Sequence, residues 1–269
     1  MDILQTIALV DPRANYEQLV EEWNKIQEFV QTLDPRDPYN FVIKIHAWAR
    51  VTQQLPMKSK AWNVFTALTS ENYGCNCFCT TLLILMCCLQ VNLLGNPIIG
   101  LFTYNHIFIS NVDRTLAFET TFTCQTHWID MSQMYRSFNF NPNERFPSIV
   151  DGPGLISAIV DASPNPSYSL FQRYPDWRSP RYYYAMITRG SGINVQLIQD
   201  FFTLLEVNHY LAAFSQDILN VMIGLRTVRS RPVLEDLLQT GYRLLTQAAQ
   251  NNPNNTHLQN LKVKGFQLF

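Results

Sequence analysis

Three side chains, far apart in the sequence, carry the chemistry this chain could perform: Cys77, His106 and Glu119. A thiol, an imidazole and a carboxylate are the parts of an activated nucleophile: an attacking sulfur, a base to move its proton and an acid to orient the base. Cys77 heads an apolar run to Leu89 in which Phe78, Leu82, Leu85 and Leu89 recur at three- and four-residue steps. That is helical period. Thr69, Ser70, Asn72 and Gly74 precede it as turn and cap residues, so the helix is expected to begin close to Cys77. A sulfur at that point faces unpaired amide N–H groups and the positive end of the helix dipole, and both favour its anionic form. Cys75, Cys79, Cys87 and Cys88 are read as ordinary buried thiols.

The elements that position the other two read as strands: Pro97 to Thr103, His106 to Ser110 and Thr115 to Phe122. Asn111-Val112-Asp113-Arg114 breaks the last pair. A two-residue turn at Val112-Asp113 pairs Asn111 with Arg114 and sets His106 directly opposite Glu119, with β-carbons roughly 5 Å apart. His106, Phe108, Ser110, Thr115, Ala117 and Glu119 then share one face, while Ile107, Ile109, Leu116 and Phe118 fill the apolar one.

Asn76-Cys77 at a helix start, Thr81 four residues on, and strands reading His106-Ile107-Phe108-Ile109 and Phe118-Glu119-Thr120-Thr121 resemble the transglutaminase-like (papain-like) cysteine hydrolase superfamily. The likeness is greatest to the branch with tetratricopeptide-type helical repeats, whose pattern is Gly-Asn-Cys, His-Val-Phe-Val and Asn-Ile-Glu-Thr-Thr. It extends over roughly Ala61 to Phe140, including Trp128 to Tyr135. The resemblance implies Cys77 as nucleophile, His106 as general base and acid, and Glu119 as the group holding the imidazole. The chain departs from the pattern at Cys75, where glycine is usual, and at Tyr104-Asn105, where Pro-Gly is common. The backbone N–H of Cys77 is the natural first oxyanion donor; Trp62, Asn63 and Asn76 are candidates for the second.

The expected fold class is α+β, with a papain/transglutaminase-like core of helices followed by an antiparallel sheet, then an α-helical C-terminal region. Tyr16 to Val30 places Val20, Trp23, Ile26 or Phe29, and Val30 on one helical stripe between Asp11-Pro12 and Asp34-Pro35. A second helix after Asp37-Pro38 carries Phe41, Ile45, Trp48 and Val51; His46 on it reads as a polar-face or core histidine. Ala61 to Leu68 resumes a helix after Pro56. The catalytic core with its N-terminal helices occupies residues 1–140, a Pro- and aromatic-rich connecting segment 141–192, and a helical region 193–269. The connecting segment carries a short helix from Leu155 to Val160, and its rings (Tyr168, Phe171, Tyr174, Trp177, Tyr182 to Tyr184) argue against a free linker. It is expected to pack on the core or cover a cleft. In the last region helices run from Ile193 to Val207, Tyr210 to Leu225, Pro232 to Gln250 and His257 to Phe269. Gly241, Leu245, Ala248 and Pro253 resemble the second helix and turn of a tetratricopeptide repeat. His209 and His257 are read as structural.

Composition narrows the functions. The chain has 269 residues, 47% hydrophobic and 13% aromatic, enough for a large core. Charged residues are 15% against a usual value of about a quarter, and the net charge is −1, which argues against a nucleic-acid surface. Met1-Asp2-Ile3-Leu4 lacks a basic start, and the run from Leu82 to Leu94 is too short for a bilayer, so neither a signal peptide nor a membrane partner is expected. Five of the six cysteines are clustered between Cys75 and Cys88, with no Cys-x-x-Cys pair. Reduced thiols in a cytoplasmic compartment, and no metal, are the expectation. The function expected is cysteine-dependent acyl transfer on a protein or peptide substrate, of peptidase, amidase or transglutaminase type, with no cofactor. The alternative is an inactive transglutaminase-like scaffold that serves as a structural or protein-interaction component of a larger assembly such as a virus particle, with the helical C-terminal region as the partner-binding part.

Overall fold

The computed structural model describes residues 3–11, 14–52, 76–102, 106–121, 126–138, 140, 146, 148–162, 179–190, 192–208, 211–228 and 232–269. The chain divides into two units. One takes in Met1–Phe102, His106–Arg136 and Ser148–Asn165, and the other is built chiefly of Pro166–Phe269.

The first unit is mixed α+β. Helices α1 (Ile3–Val10), α2 (Tyr16–Val30) and α3 (Pro38–Ala47) come first. The side chains of Asn15 and Asp37 cap α2 and α3 by accepting from Gln18 N and Asn40 N. After α3 the backbone widens into a π-helical turn over Trp48–Thr52. Helix α4 (Cys77–Gln90) is buried from Phe78 to Cys88 on every face, the mark of a central core helix. A five-stranded antiparallel sheet follows: β1 (Ile98–Phe102), β2 (Ile107–Asn111), β3 (Leu116–Phe118), β4 (Ile129–Asp130) and β5 (Ser148–Ile149). Their spatial order is β4-β3-β2-β1-β5, so β2 is central and buried on both faces. Helix α4 packs on β1 and β2, with α3 and α6 (Gly152–Ala162) as its other neighbours. Helix α5 (Met131–Phe138) continues from β4.

The β2–β3 register differs from the one the sequence predicts. Ile109 pairs with Phe118 and Ser110 with Ala117. His106 therefore does not face Glu119 squarely; the acid is displaced by two residues along the partner strand. The cause is the turn. Asn111 Oδ1 accepts from both Thr115 N (2.9 Å) and Leu116 N (2.8 Å), which draws four residues rather than two into the connection. Arg114 adopts a φ of +55° within it. A shift of two preserves the alternation, so His106, Phe108, Ser110, Ala117 and Glu119 remain on one face.

The second unit contains α7 (Pro180–Arg189), α8 (Val195–Asn208), α9 (Ser215–Arg226), α10 (Pro232–Asn251) and α11 (Thr256–Phe266) around a core that includes Phe201, Phe202, Met222, Leu238 and Leu245. Pro232 opens α10, where its missing N–H is harmless. Gly241 lies where helices approach closely: a β-carbon there would fall 2.7 Å from Met222 Cγ and 3.1 Å from Phe202 Cζ.

These units divide residues 141–192 differently from the sequence reading. Ser148–Ile149 pairs with β1 and, with α6, belongs to the first unit, while α7 joins the second. The helix expected over Ala61 to Leu68, and the rings of Tyr168, Phe171, Tyr174 and Trp177, lie outside the described residues. Among the described residues no helix is long and apolar enough to cross a membrane.

Candidate active site

Cys77, His106 and Glu119 converge in the first unit. Asn76 is the N-cap of α4 and accepts from Cys79 N at 3.0 Å, so Cys77 is the first residue of the helix. Its amide belongs to the first turn, where helical geometry supplies no intrahelical acceptor. His106 stands just before β2, only 8% exposed, and its ring stacks on that of Phe108, two residues on along the same face. Glu119 follows β3 and is fully buried.

The imidazole is held from two sides. His106 Nε2–H donates to Glu119 Oε2 at 2.6 Å. With that nitrogen committed, Nδ1 is the one left for Cys77, whose side chain also hydrogen-bonds the ring. Burial by itself would lower the affinity of the ring for its proton. The hydrogen bonds and negative charge of Cys77 and Glu119 outweigh it and raise the His106 pKa to about 9. The other oxygen of Glu119 is fixed as well: Oε1 accepts from Thr121 N and from Thr121 Oγ1, both at 2.7 Å. A buried carboxylate with its oxygens paired in this way has few orientations left.

Hydroxyl groups tie the three elements together. Thr81 lies one helical turn after Cys77, and its Oγ1 approaches Thr120 Oγ1 at 2.9 Å and the Ile107 carbonyl at 3.4 Å. Thr120 Oγ1 in turn donates to the Cys77 carbonyl at 3.3 Å. The threonines thus connect helix α4 to the residue after His106 and to the residue after Glu119.

Two further side chains reach this segment. His46 on α3 donates from Nε2 to the Thr120 carbonyl at 3.2 Å, and Arg50 Nη2 donates to the same oxygen at 2.9 Å. Both are buried, and the His46 ring meets Phe118 edge-on. Burial and the nearby Arg50 charge hold the His46 pKa down to about 4, against the pull of the Thr120 carbonyl and Glu119. The sequence reading set His46 aside as structural and did not single out Arg50. Their i, i+4 spacing puts two polar side chains beside the apolar stripe of Phe41 and Ile45, and that is the signal that could have found them. Trp128 also meets Phe118 (5.6 Å) and donates from Nε1 to the Tyr39 carbonyl at 3.1 Å.

Cys79, Cys87 and Cys88 are buried free thiols, and burial pushes those of Cys87 and Cys88 well above the usual range. Among the described residues no group of three or more His, Cys, Asp or Glu is arranged to hold a metal ion. Of the oxyanion candidates, Asn76 spends its carboxamide oxygen on the helix cap, while Trp62 and Asn63 lie outside the described residues, as do Cys75 and Tyr104-Asn105. No family model, curated protein or solved structure matches this chain.

Proposed function

We propose that this chain is a cysteine-dependent acyl-transfer enzyme of peptidase, amidase or transglutaminase type, built on a transglutaminase-like core. The observation that carries the reading is the His106 ring bracketed by the Cys77 side chain and the Glu119 carboxylate. An imidazole that holds its proton to about pH 9 already carries, at neutral pH, the proton that a leaving nitrogen needs.

Cys77 Sγ attacks the carbonyl carbon of an amide, and the π pair moves to oxygen, where the Cys77 N–H is the nearest donor. As the tetrahedral species collapses, the His106 proton passes to the nitrogen, the C–N bond breaks and a thioester remains. Water or a second amine then attacks the thioester, the neutral imidazole takes its proton, and the S–C bond breaks to return the starting site. Glu119 holds the ring at the angle both transfers need. Water as acceptor gives hydrolysis; an amine gives transamidation.

A second reading, the inactive scaffold, draws on apolar side chains exposed at the end of the helical unit: Val263 is 56% and Phe266 64% exposed. A thiol-directed electrophile separates the two. Wild type should label at Cys77, a signal that Cys77→Ala loses entirely, and at least about a hundredfold faster than His106→Gln, the lower end of the range for a lost acid–base partner. Equal labelling of wild type and a folded His106→Gln protein, at the rate of an ordinary exposed thiol, sinks the enzyme reading.

A further inference from the structure

The hydrogen bonds around Glu119 run through one peptide group. The carbonyl of Thr120 and the N–H of Thr121 belong to the same peptide unit, and in a trans peptide these two groups point in opposite directions. The carbonyl takes His46 Nε2–H and Arg50 Nη2–H on one side. The N–H reaches Glu119 Oε1 on the other, and Glu119 Oε2 accepts from His106. A donor on a carbonyl polarises the whole amide and strengthens its N–H as a donor, and a cationic donor does so more than a neutral one.

The geometry points to Arg50 and His46 as positioning residues that act on the catalytic imidazole through the Thr120–Thr121 peptide, orienting Glu119 and holding its charge against His106. Neither touches Cys77 or a reacting atom by this route. The observations come from two independent directions. Two polar side chains, 1% and 3% exposed, both donate to one carbonyl that a single backbone donor would satisfy. The chain also leaves α-helical geometry at Trp48–Thr52, the segment that carries Arg50; π-helical turns of this kind recur at functional sites. A buried guanidinium is costly unless it is paired. Here it faces the Thr120 carbonyl, with the fully buried Glu119 carboxylate one peptide beyond. Among the described residues, Cys77 from α4 and Glu119 after β3 bear on the imidazole, with Arg50 and His46 behind Glu119.

The inference rests on the Cys77–His106–Glu119 reading, and the two fail separately. The experiment follows the His106 ring by NMR titration in the full chain, alongside the pH profile of Cys77 alkylation. Loss of the cation alone would raise the ring's affinity for its proton, so a fall marks a displaced Glu119: Arg50→Met should move the His106 titration down by about one pH unit, a tenfold loss of proton affinity, and the high-pH limb of labelling should move with it. Arg50→Lys, which keeps the cation but not the planar fork, should restore part of the shift. A merely structural role would lower the melting temperature and leave the titration where it is; that outcome in a folded Arg50→Lys or Arg50→Met protein overturns the inference. Should Arg50→Met not fold, Arg50→Lys and the wild-type amide of Thr121 decide. That amide should exchange at least about a hundredfold more slowly than a free peptide, and exchange at the free rate overturns the relay. Alkylation of Cys77 that ignores His106 would sink the enzyme reading instead, and the ring titration would still report on Arg50.

Discussion

Glu119→Gln removes one charge from the centre of the site at almost no change in shape. The carbonyl oxygen of the new side chain can still accept from Thr121 N and Oγ1. What goes is the anion facing His106, and with it the acceptor of Nε2–H, because the carboxamide presents an NH2 there. In the wild type that anion and Cys77 overcome burial and lift the ring from 6.5 to about 9. At about 1.4 kcal/mol per pH unit, this corresponds to roughly 3 kcal/mol of stability. The His106 side chain is only 7% exposed, so solvent screening takes little of it. The folded value lies above the unfolded one. The stabilisation is therefore complete below about pH 6.5 and is lost as pH rises through about 9. In Glu119→Gln burial is opposed by Cys77 alone, so the ring gives up its proton earlier and most of that slope disappears. Urea unfolding from about pH 5.5 to about pH 10 measures it: wild type should lose about 2–3 kcal/mol more than the variant across the window, over the loss that the raised thiols of Cys87 and Cys88 impose on both. Cys77→Ala, run in parallel, assigns the share that belongs to sulfur. Parallel curves for wild type and a folded Glu119→Gln protein would refute the argument that this carboxylate sets the charge of the ring.

Two further outcomes follow from the same contacts. His46 has its folded pKa pressed down to about 4, so its neutral burial stabilises the protein fully above about pH 6.5, and the benefit is lost as pH falls through about 4. His46→Gln should flatten this acid limb in pH-dependent unfolding. Gly241→Ala would press a methyl against Met222 and Phe202; overpacking should outweigh the better helix propensity of alanine and destabilise the helical unit by about 1–2 kcal/mol, read by thermal melting, with Cys77 labelling unchanged.

Much of this architecture was open to reading in one dimension because its determinants are local. The apolar stripe and flanking turn residues of α2 predict Tyr16 to Val30, the span observed. Turn residues and the apolar run put the start of α4 near Cys77, and the side chain of Asn76 makes the cap. Helices ahead of an antiparallel sheet follow from the order of the two periodicities. Other elements escaped. Helix α1 and helix α7 were not anticipated, the latter because Pro180 and three adjacent tyrosines read as broken chain when in fact proline serves as a first-turn residue behind the Ser179 cap.

The amino-acid order alone determined which face of the hairpin His106 and Glu119 occupy, because strand alternation has period two and survives any even shift in register. Only the tertiary structure decided how they meet. The side chain of Asn111 captures two amides, widens the turn and moves Glu119 two positions along, so the acid reaches the ring diagonally. The convergence of His46 and Arg50 on the Thr120 carbonyl, some seventy positions away, is likewise invisible in local pattern. Periodicity reports which side of an element is wet or dry, whereas a hydrogen bond between distant elements depends on where packing brings their backbones to rest.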